Sequence, residues 1–260
     1  MAISEKSPRK TESRYKVIED ISLNPAYRSS VEKNNKYTWH IVYKHSDLLI
    51  SSDKDIGAII EEPLKEIYSQ LEFCIRKDPQ FLKSLVPLAQ KSYYPEAIKK
   101  MCRLSSEFNV GPMAAVAGIV NDFLSQRVEK LCSYLVIENG GDIYAKSGSD
   151  LKIGIYAGNN FFSDKIVFKI NSSDMPCGIC SSSGTFGHSL SLGKCDLAVI
   201  ISGSPVSADA AATAAANSVK SEEDIGKSID YFYSFKSVLG ILLIKNKKIG
   251  IKGNLQLLKF

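Results

Sequence analysis

The spacing of apolar residues divides the chain into a helix-rich first part and a strand-rich second part. Apolar positions three or four residues apart predict helices over residues 55–77, 95–108 and 113–131. Pro63 lies early in the first of these helices, where it marks either a start or a kink, and a proline also opens each of the other two.

Strands are predicted from short apolar or alternating runs that are bounded by turn residues. Residues 37–43 and 47–51 predict a β-hairpin. The Asn139-Gly140 pair between two apolar runs predicts a second hairpin. Helices that largely precede strands favour an α+β fold, with helices packed on a mixed or antiparallel sheet. The remaining predicted elements are strands at 134–137, 143–145, 151–157, 165–170, 195–202, 238–244, 248–251 and 255–258, and a short acidic helix at 221–228.

Residues 175–217 hold the densest set of small and chemically active residues in the chain. A Ser/Gly loop is predicted at 181–185, followed by a buried strand at 195–202 and an Ala-rich helix. Ser207 is the predicted N-cap of that helix, with Asp209 in its first turn. So many small residues indicate that either backbone or a ligand approaches closely.

Asp209, Thr213 and Asn217 lie four residues apart, so one face of the Ala-rich helix carries all three. A carboxylate, a hydroxyl and nearby carbonyl oxygens form a ligand set suited to Mg²⁺. The alternative is structural, because Asp209 could complement the helix dipole while Thr213 bonds to its own helix. Spacing alone leaves both interpretations open.

Two loops are candidates for binding an anionic ligand. The hydroxyls and backbone N–H groups of residues 181–185 can cradle a phosphate, although an ordinary polar loop has the same composition. Asp142 follows two glycines and would present a carboxylate beside exposed amides, as nucleotide and metal sites do. A bare hairpin turn would explain those residues equally well.

Composition narrows the classes of function. The 260 residues carry a net charge of +5 without a basic stripe of interleaved aromatic residues, so we do not expect nucleic acid as a partner. We find no apolar run of membrane-spanning length and no signal peptide, and therefore expect a cytoplasmic protein. Residues 1–35 predict a flexible N-terminal tail and residues 36–260 one α+β domain. The small-residue helix that begins at Met113 would suit a homodimer.

The six cysteines are irregularly spaced, which favours reduced thiols in the core. Cys177 and Cys180 form the one CxxC pair of the sequence, and no second pair at zinc spacing accompanies them. A redox pair is the alternative, but a Ser/Gly loop follows where the thioredoxin motif has a helix.

Three motifs, taken together, resemble the ApbE-like superfamily of FAD:protein FMN transferases, once called thiamine biosynthesis lipoproteins. Residues 139–143 (NGGDI) are similar to its N-x-G-G-D-I element, although Glu138 stands where that element has its asparagine. Residues 180–184 (CSSSG) resemble its T-S-G loop, and residues 208–213 (ADAAAT) its A-D-A-x-A-T element. The order is that of the family.

The resemblance is closer to an uncharacterised prokaryotic branch of that superfamily. This branch carries elements similar to residues 110–118 (VGPMAAVAG), 182–189 (SSGTFGHS) and 208–217 (ADAAATAAAN). The match extends from about residue 37 to the C-terminus. It implies an ApbE-like, T-fold-like architecture.

The resemblance also implies a site. Asp209 and Thr213 would hold Mg²⁺, with Asp142 as a further ligand, and a flavin nucleotide such as FAD would lie against the two loops. His188 and Gly193 stand near the place of a histidine and P-x-T-G segment of the transferases, but the proline and threonine are missing, as is the lipoprotein signal. These departures weaken FMN transfer more than flavin or nucleotide binding. The implied cofactor-binding residues are Asn139, Gly140, Gly141, Asp142, Ser182, Ser183, Gly184 and Thr185.

Three functions follow as hypotheses. The first is a Mg²⁺-dependent enzyme that binds a flavin or nucleotide and transfers or cleaves a phosphate-containing group, with His188 as its acid, base or phosphate donor. The second is a non-catalytic module that binds a small ligand. The third is a metal-independent cofactor-biosynthesis enzyme that acts on a heteroaromatic acid. The sequence leaves open whether the protein catalyses a reaction at all.

Overall fold

The centre of the molecule is an antiparallel sheet of eight strands in the order β1-β2-β3-β4-β7-β8-β9-β10. A computed structural model describes residues 37–154, 166–184 and 194–259. A second sheet of three strands has the order β11-β6-β5. The strands are β1 (Tyr37–Tyr43), β2 (Ser46–Ser52), β3 (Leu135–Asn139), β4 (Asp142–Lys146), β5 (Leu151–Gly154), β6 (Val167–Ile170), β7 (Cys177–Ser182), β8 (Leu197–Ser202), β9 (Val238–Lys245), β10 (Lys248–Gly253) and β11 (Gln256–Lys259).

The predicted α+β class is confirmed, and the helices come largely where the apolar spacing placed them. They are α1 (Gly57–Lys77), α2 (Gln80–Lys83), α3 (Glu96–Glu107), α4 (Val116–Val128), α5 (Pro205–Ser218) and α6 (Asp224–Tyr233). Pro63 lies inside α1, near its start.

Two of these helices begin three residues later than the sequence predicts. Pro112–Ala115 forms a 3-10 turn, in which the Ala114 N–H donates to the Gly111 carbonyl at 3.1 Å, and α4 starts only at Val116. The acidic helix begins at Asp224 instead of residue 221, because the Asp224 carboxylate accepts hydrogen bonds from the preceding backbone and so closes the turn before the helix.

The eight-stranded sheet separates two hydrophobic cores. Since neighbouring residues of a strand face opposite sides, Cys177 and Ile179 pack beneath the three-stranded sheet, whereas Cys180 faces the helices. The alternation also places Ile143 under the small sheet and Tyr144 on the helix side. Residues two positions away from Tyr144 on β4, and two positions away from Cys180 on β7, therefore also face the helix side of the sheet.

The Ala-rich helix α5 lies against this helix side, and every residue from Pro205 to Ala216 is buried. Its backbone is wedged between two glycines. A Cβ added to Gly178 on β7 would lie 2.4 Å from Pro205 Cα, and one added to Gly118 on α4 would lie 2.5 Å from the Pro205 carbonyl oxygen. The small residues thus permit close approach of backbone to backbone. The small-residue part of α4, which suggested a homodimer, is used for packing within the chain.

The start of α5 differs from the prediction. Ser204 is the N-cap residue and Pro205 the first helical residue, so Ser207 lies inside the helix and Asp209 lies beyond the first turn. Proline at the first helical position lacks only an N–H that would have had no partner within the helix. Dipole complementation therefore does not account for Asp209.

Candidate functional site

A tight hairpin turn positions Asp142 at the first residue of β4. Asn139 pairs with Asp142 across the turn, and Gly140 and Gly141 occupy it with φ values of +63° and +101°. Positive φ at both central residues is what a two-residue type I′ turn requires. Glu138, where the sequence departs from the family motif, closes the turn, since its Oε1 accepts the Gly141 N–H at 2.7 Å.

The Asp142 side chain turns back onto β7. Its Oδ1 accepts the backbone N–H of Ser181 at 3.0 Å, and the Cys180 thiol is a further hydrogen-bonding neighbour. Only 7% of the residue is exposed. Burial raises the pKa of Asp142 to about 7, because it removes the water that would otherwise solvate the charged form.

Asp209 approaches the same place from α5. Its Oδ2 accepts the backbone N–H of Gly118, at the start of α4, at 2.8 Å. Burial raises the pKa of Asp209 well above its ordinary value, and the charge of Asp142 raises it further. The structure thus brings together two buried carboxylates from residues that are far apart in the sequence.

Thr213, one turn further along α5, faces the 3-10 turn that precedes α4. Its Oγ1 donates to the Ala114 carbonyl oxygen at 3.4 Å, instead of to its own helix. The Asp209 carboxylate, the Thr213 hydroxyl and the Ala114 carbonyl all lie at the contact between α5 and the segment around α4. These are the hard oxygen donors that Mg²⁺ prefers.

The expected Ser/Gly loop is partly strand. Ser182 is the last residue of β7 and pairs with Ala198 of β8, and its buried Oγ has no hydrogen-bond partner among the described residues. The Gly184 N–H donates to the Cys195 carbonyl at 2.8 Å and is therefore not available to a phosphate. Ser183 lies between them. Thr185 and His188 lie outside the described residues.

Asn121, which the sequence analysis did not single out, and Cys180 complete this environment. Asn121 on α4 is fully buried, and its Nδ2 donates to the Asp142 carbonyl oxygen at 2.8 Å. Cys180 lies beside the Asp142 carboxyl, and its Sγ is 3.5 Å from the Pro205 carbonyl oxygen. A polar residue at an apolar helix position was the signal for Asn121. Asp122, the next residue of α4, is also buried and forms an ion pair with Lys100.

The CxxC pair does not form a redox centre. Cys177 and Cys180 are three residues apart on one strand and so face opposite sides of the sheet, in different cores. Both are free thiols, and burial raises the pKa of Cys177 to about 12 and that of Cys180 well above its ordinary value.

The fold is that of the ApbE flavin transferases. The crystal structure of the flavinyl transferase ApbE of Pseudomonas stutzeri, apo form, matches with a TM-score of 0.56 and 11% sequence identity, covering 83% of this chain and 93% of that one. The flavin transferase ApbE of Vibrio cholerae matches with a TM-score of 0.55 and 12% identity, covering 85% and 96%. Identities this low establish the architecture alone.

The chain belongs to the family described as AbpE bacteria, whose model matches residues 28–241. The UPF0280 protein MJ1526 of Methanocaldococcus jannaschii is 34% identical over 221 residues, which cover 83% of this chain and 90% of that protein. The UPF0280 protein of Methanothrix thermoacetophila is 39% identical over 207 residues, covering 79% and 86%. The resemblance to an uncharacterised prokaryotic branch of the ApbE-like superfamily is confirmed.

Proposed function

We propose that this protein binds a flavin or another nucleotide together with Mg²⁺ and transfers or cleaves a phosphate-containing group. The ApbE fold supports flavin as the ligand, because the matching structures are those of proteins named flavin transferases. The observation that carries the proposal is that the buried carboxyl groups of Asp142 and Asp209 lie close enough to interact electrostatically. Two desolvated carboxylates with raised pKa values are costly when charged, and a divalent cation would offset that cost.

The residues present fit such a cation. Asp209, Thr213 and the Ala114 carbonyl would hold Mg²⁺, with Asp142 as a further ligand. Bound Mg²⁺ would neutralise charge on bridging phosphate oxygens. The backbone N–H of Gly118 would hold the Asp209 carboxylate in place while the metal is bound.

The nucleotide would lie between the hairpin turn and the end of β7. Gly140 and Gly141 bear no side chain, so the turn leaves room for a ligand to approach. The Ser182 hydroxyl, buried without a described partner, would serve a phosphate oxygen or a ring atom. Asn139 and Ser183 would line the same pocket. In this proposal His188 acts as acid, base or phosphate donor.

One observation favours a non-catalytic ligand-binding module instead. The Asp209 Oδ2 already accepts the Gly118 N–H, and the Thr213 hydroxyl already donates to Ala114. Both side chains therefore have structural partners in the absence of metal. Metal dependence of ligand binding separates the two functions.

The test is a thermal-shift and calorimetric comparison of FAD, FMN, ADP and ATP, each with and without Mg²⁺. A ligand at about a hundred times its Kd adds about 2.7 kcal/mol to the free energy of unfolding. We expect Mg²⁺ to increase the stabilisation by FAD or a nucleotide, and we expect Asp209→Asn to abolish that increase. Asparagine keeps an acceptor for the Gly118 N–H, whereas alanine would leave that buried N–H unpaired.

The matched control is Asp230→Asn, which changes a helical aspartate whose side chain is 74% exposed in an ion pair with Lys252. It should bind like the wild type. Absence of any Mg²⁺-dependent part of the binding, or a Mg²⁺-dependent part that survives Asp209→Asn, would refute the metal role. Absence of any shift with all four ligands would refute flavin and nucleotide binding.

We also propose a cytoplasmic location. The six cysteines are free and buried, as is usual for proteins of a reducing compartment. None of the helices in the described part of the chain combines the length and apolarity needed to cross a membrane.

A further inference from the structure

A cleft lies at the end of β4 that is opposite to the two buried carboxylates. Asp142 begins β4 and Lys146 ends it, so the two ends lie about 13 Å apart along the strand. The cleft has a volume of about 550 Å³. Its lining comes from the segments that follow β2, α4 and β4 and precede β7, namely Lys54, Lys130, Leu131, Cys132, Ser133, Lys146, Ser147, Gly148, Met175 and Pro176.

Hydrogen bonds fix the walls of this cleft. The Asp53 carboxylate accepts the Ser133 and Tyr134 N–H groups, both at 3.1 Å, and holds the segment after α4 against the end of β2. The Lys146 Nζ donates to the Glu129 carbonyl oxygen at 2.5 Å, which ties the end of β4 to the same segment. Because these hydrogen bonds involve backbone groups, the positions of the backbone segments contribute to the concave shape, and not the side chains alone.

The charge of the lining is entirely positive. Lys54, Lys130 and Lys146 contribute to it, and no acidic side chain does among the residues that the structure describes. Neither Lys54 nor Lys130 forms an ion pair with another described residue. The acids nearby are engaged elsewhere, Asp53 with the Ser133 segment and Glu129 with the Tyr144 hydroxyl. None of the three lysines pairs with a carboxylate of another described residue, and three ammonium groups around one concavity attract a multiply charged anion.

The lining also includes apolar side chains. Leu131 is 52% exposed, and Met175 and Pro176 line the same space. The volume lies in the range of pockets for whole organic ligands and far exceeds one phosphate group. The lining thus combines charge for an anionic group with a surface for an apolar body.

We propose that this cleft binds a small organic molecule that carries two or more phosphate groups. The lysine ammonium groups contact the phosphates, and Leu131, Met175 and Pro176 contact the organic part. Lysine is suited to this as a mobile point charge with three donors. The site is separate from the carboxylate site of the proposed function and does not need a metal.

The test measures calorimetric binding of inorganic tripolyphosphate and of ADP in EDTA, to wild type and to Asp209→Asn, so that Mg²⁺ plays no part. We expect saturable binding of both probes, equal in the two proteins. The double variant Lys54→Gln/Lys130→Gln should weaken both by about tenfold or more, which corresponds to about 1.4 kcal/mol. Leu131→Ser should weaken the binding of ADP and leave the binding of tripolyphosphate unchanged.

The matched control is Lys83→Gln/Lys91→Gln, which removes two exposed lysines outside the cleft and causes the same change in net charge. It should bind both probes like the wild type. Equal weakening by the two double variants would show diffuse charge attraction and overturn the proposal. No saturable binding, or ADP binding that disappears in Asp209→Asn, would also overturn it, and neither result would bear on Mg²⁺-dependent binding at the carboxylate site.

Discussion

The backbone N–H of Gly118 donates a hydrogen bond of 2.8 Å to Oδ2 of Asp209, which joins the start of α4 to α5 across 91 positions of sequence. The contact is possible only because residue 118 has no side chain. An added Cβ would lie 2.9 Å from Asp209 Cβ and 2.5 Å from the Pro205 carbonyl oxygen. Backbone contact between α4 and α5 therefore sets the position of the carboxylate.

Gly118→Ala should destabilise the protein by about 1–3 kcal/mol, because the Pro205 carbonyl is backbone and cannot rotate away from the new methyl group. The matched control is Gly226→Ala. Gly226 also lies in a helix, but nothing is within 4 Å of its added Cβ, so alanine should stabilise it by up to about 1 kcal/mol. Urea unfolding compares the two. Equal effects would contradict the close approach of α4 and α5.

Gly141→Ala should destabilise the hairpin more than Gly140→Ala. Both residues have positive φ, so either alanine costs about 1 kcal/mol in backbone strain. At Gly141 the added Cβ would also lie 2.9 Å from the Ser181 Oγ, whereas Gly140 faces open space. Denaturant midpoints of the two variants measure the difference, and a larger loss for Gly140→Ala would show that the turn geometry is wrong.

Local features of the fold were predictable from the sequence where local chemistry decides them. The Asn139–Asp142 turn followed from an Asn-Gly pair between apolar runs, and α1 from its apolar spacing. The start of α5 was misplaced by three residues, because a serine at position 207 looks like a cap, whereas the proline at the first helical position is the stronger determinant.

Features that depend on long-range pairing were not predictable. Ser181 and Ser182 have low strand propensity, yet they lie in β7 because they pair with β8, while β4 pairs with the earlier part of the strand. The contact of Asp142 with Cys180 and its proximity to Asp209 follow from that pairing and from the packing of α5. The motif residues could be named from the sequence, but their burial and raised pKa values could not.

The buried cysteines give a chemical test of the two cores. A thiol reagent should modify the native protein slowly, because burial keeps the Cys177 and Cys195 thiols protonated, with pKa values raised to about 12. All six thiols should react at once after unfolding in denaturant. A time course with a chromogenic disulfide reagent measures both. Rapid loss of two thiols together under mild oxidation would contradict the placement of Cys177 and Cys180 on opposite faces of β7.

The raised pKa of Asp142 predicts the direction in which stability changes with pH. The folded protein keeps a proton on this carboxyl up to about pH 7, whereas the unfolded chain releases it near its ordinary pKa of about 4. Between these values the folded state binds more protons, so without Mg²⁺ the free energy of unfolding should fall as pH rises from about 4 to 7. Each unit of the raised pKa corresponds to about 1.4 kcal/mol.

Asp142→Asn should reduce this slope without abolishing it, because asparagine does not titrate whereas burial still raises the pKa of Asp209. Asp230→Asn should keep the slope, because Asp230 is exposed. Urea unfolding at pH 5, 6 and 7 in EDTA measures the slope in each protein. Saturating Mg²⁺ should flatten it in the wild type, since a bound cation favours the charged carboxylates. A wild-type slope that Asp142→Asn leaves unchanged would place the titrating group elsewhere, and a slope that Mg²⁺ leaves unchanged would argue against a cation between Asp142 and Asp209.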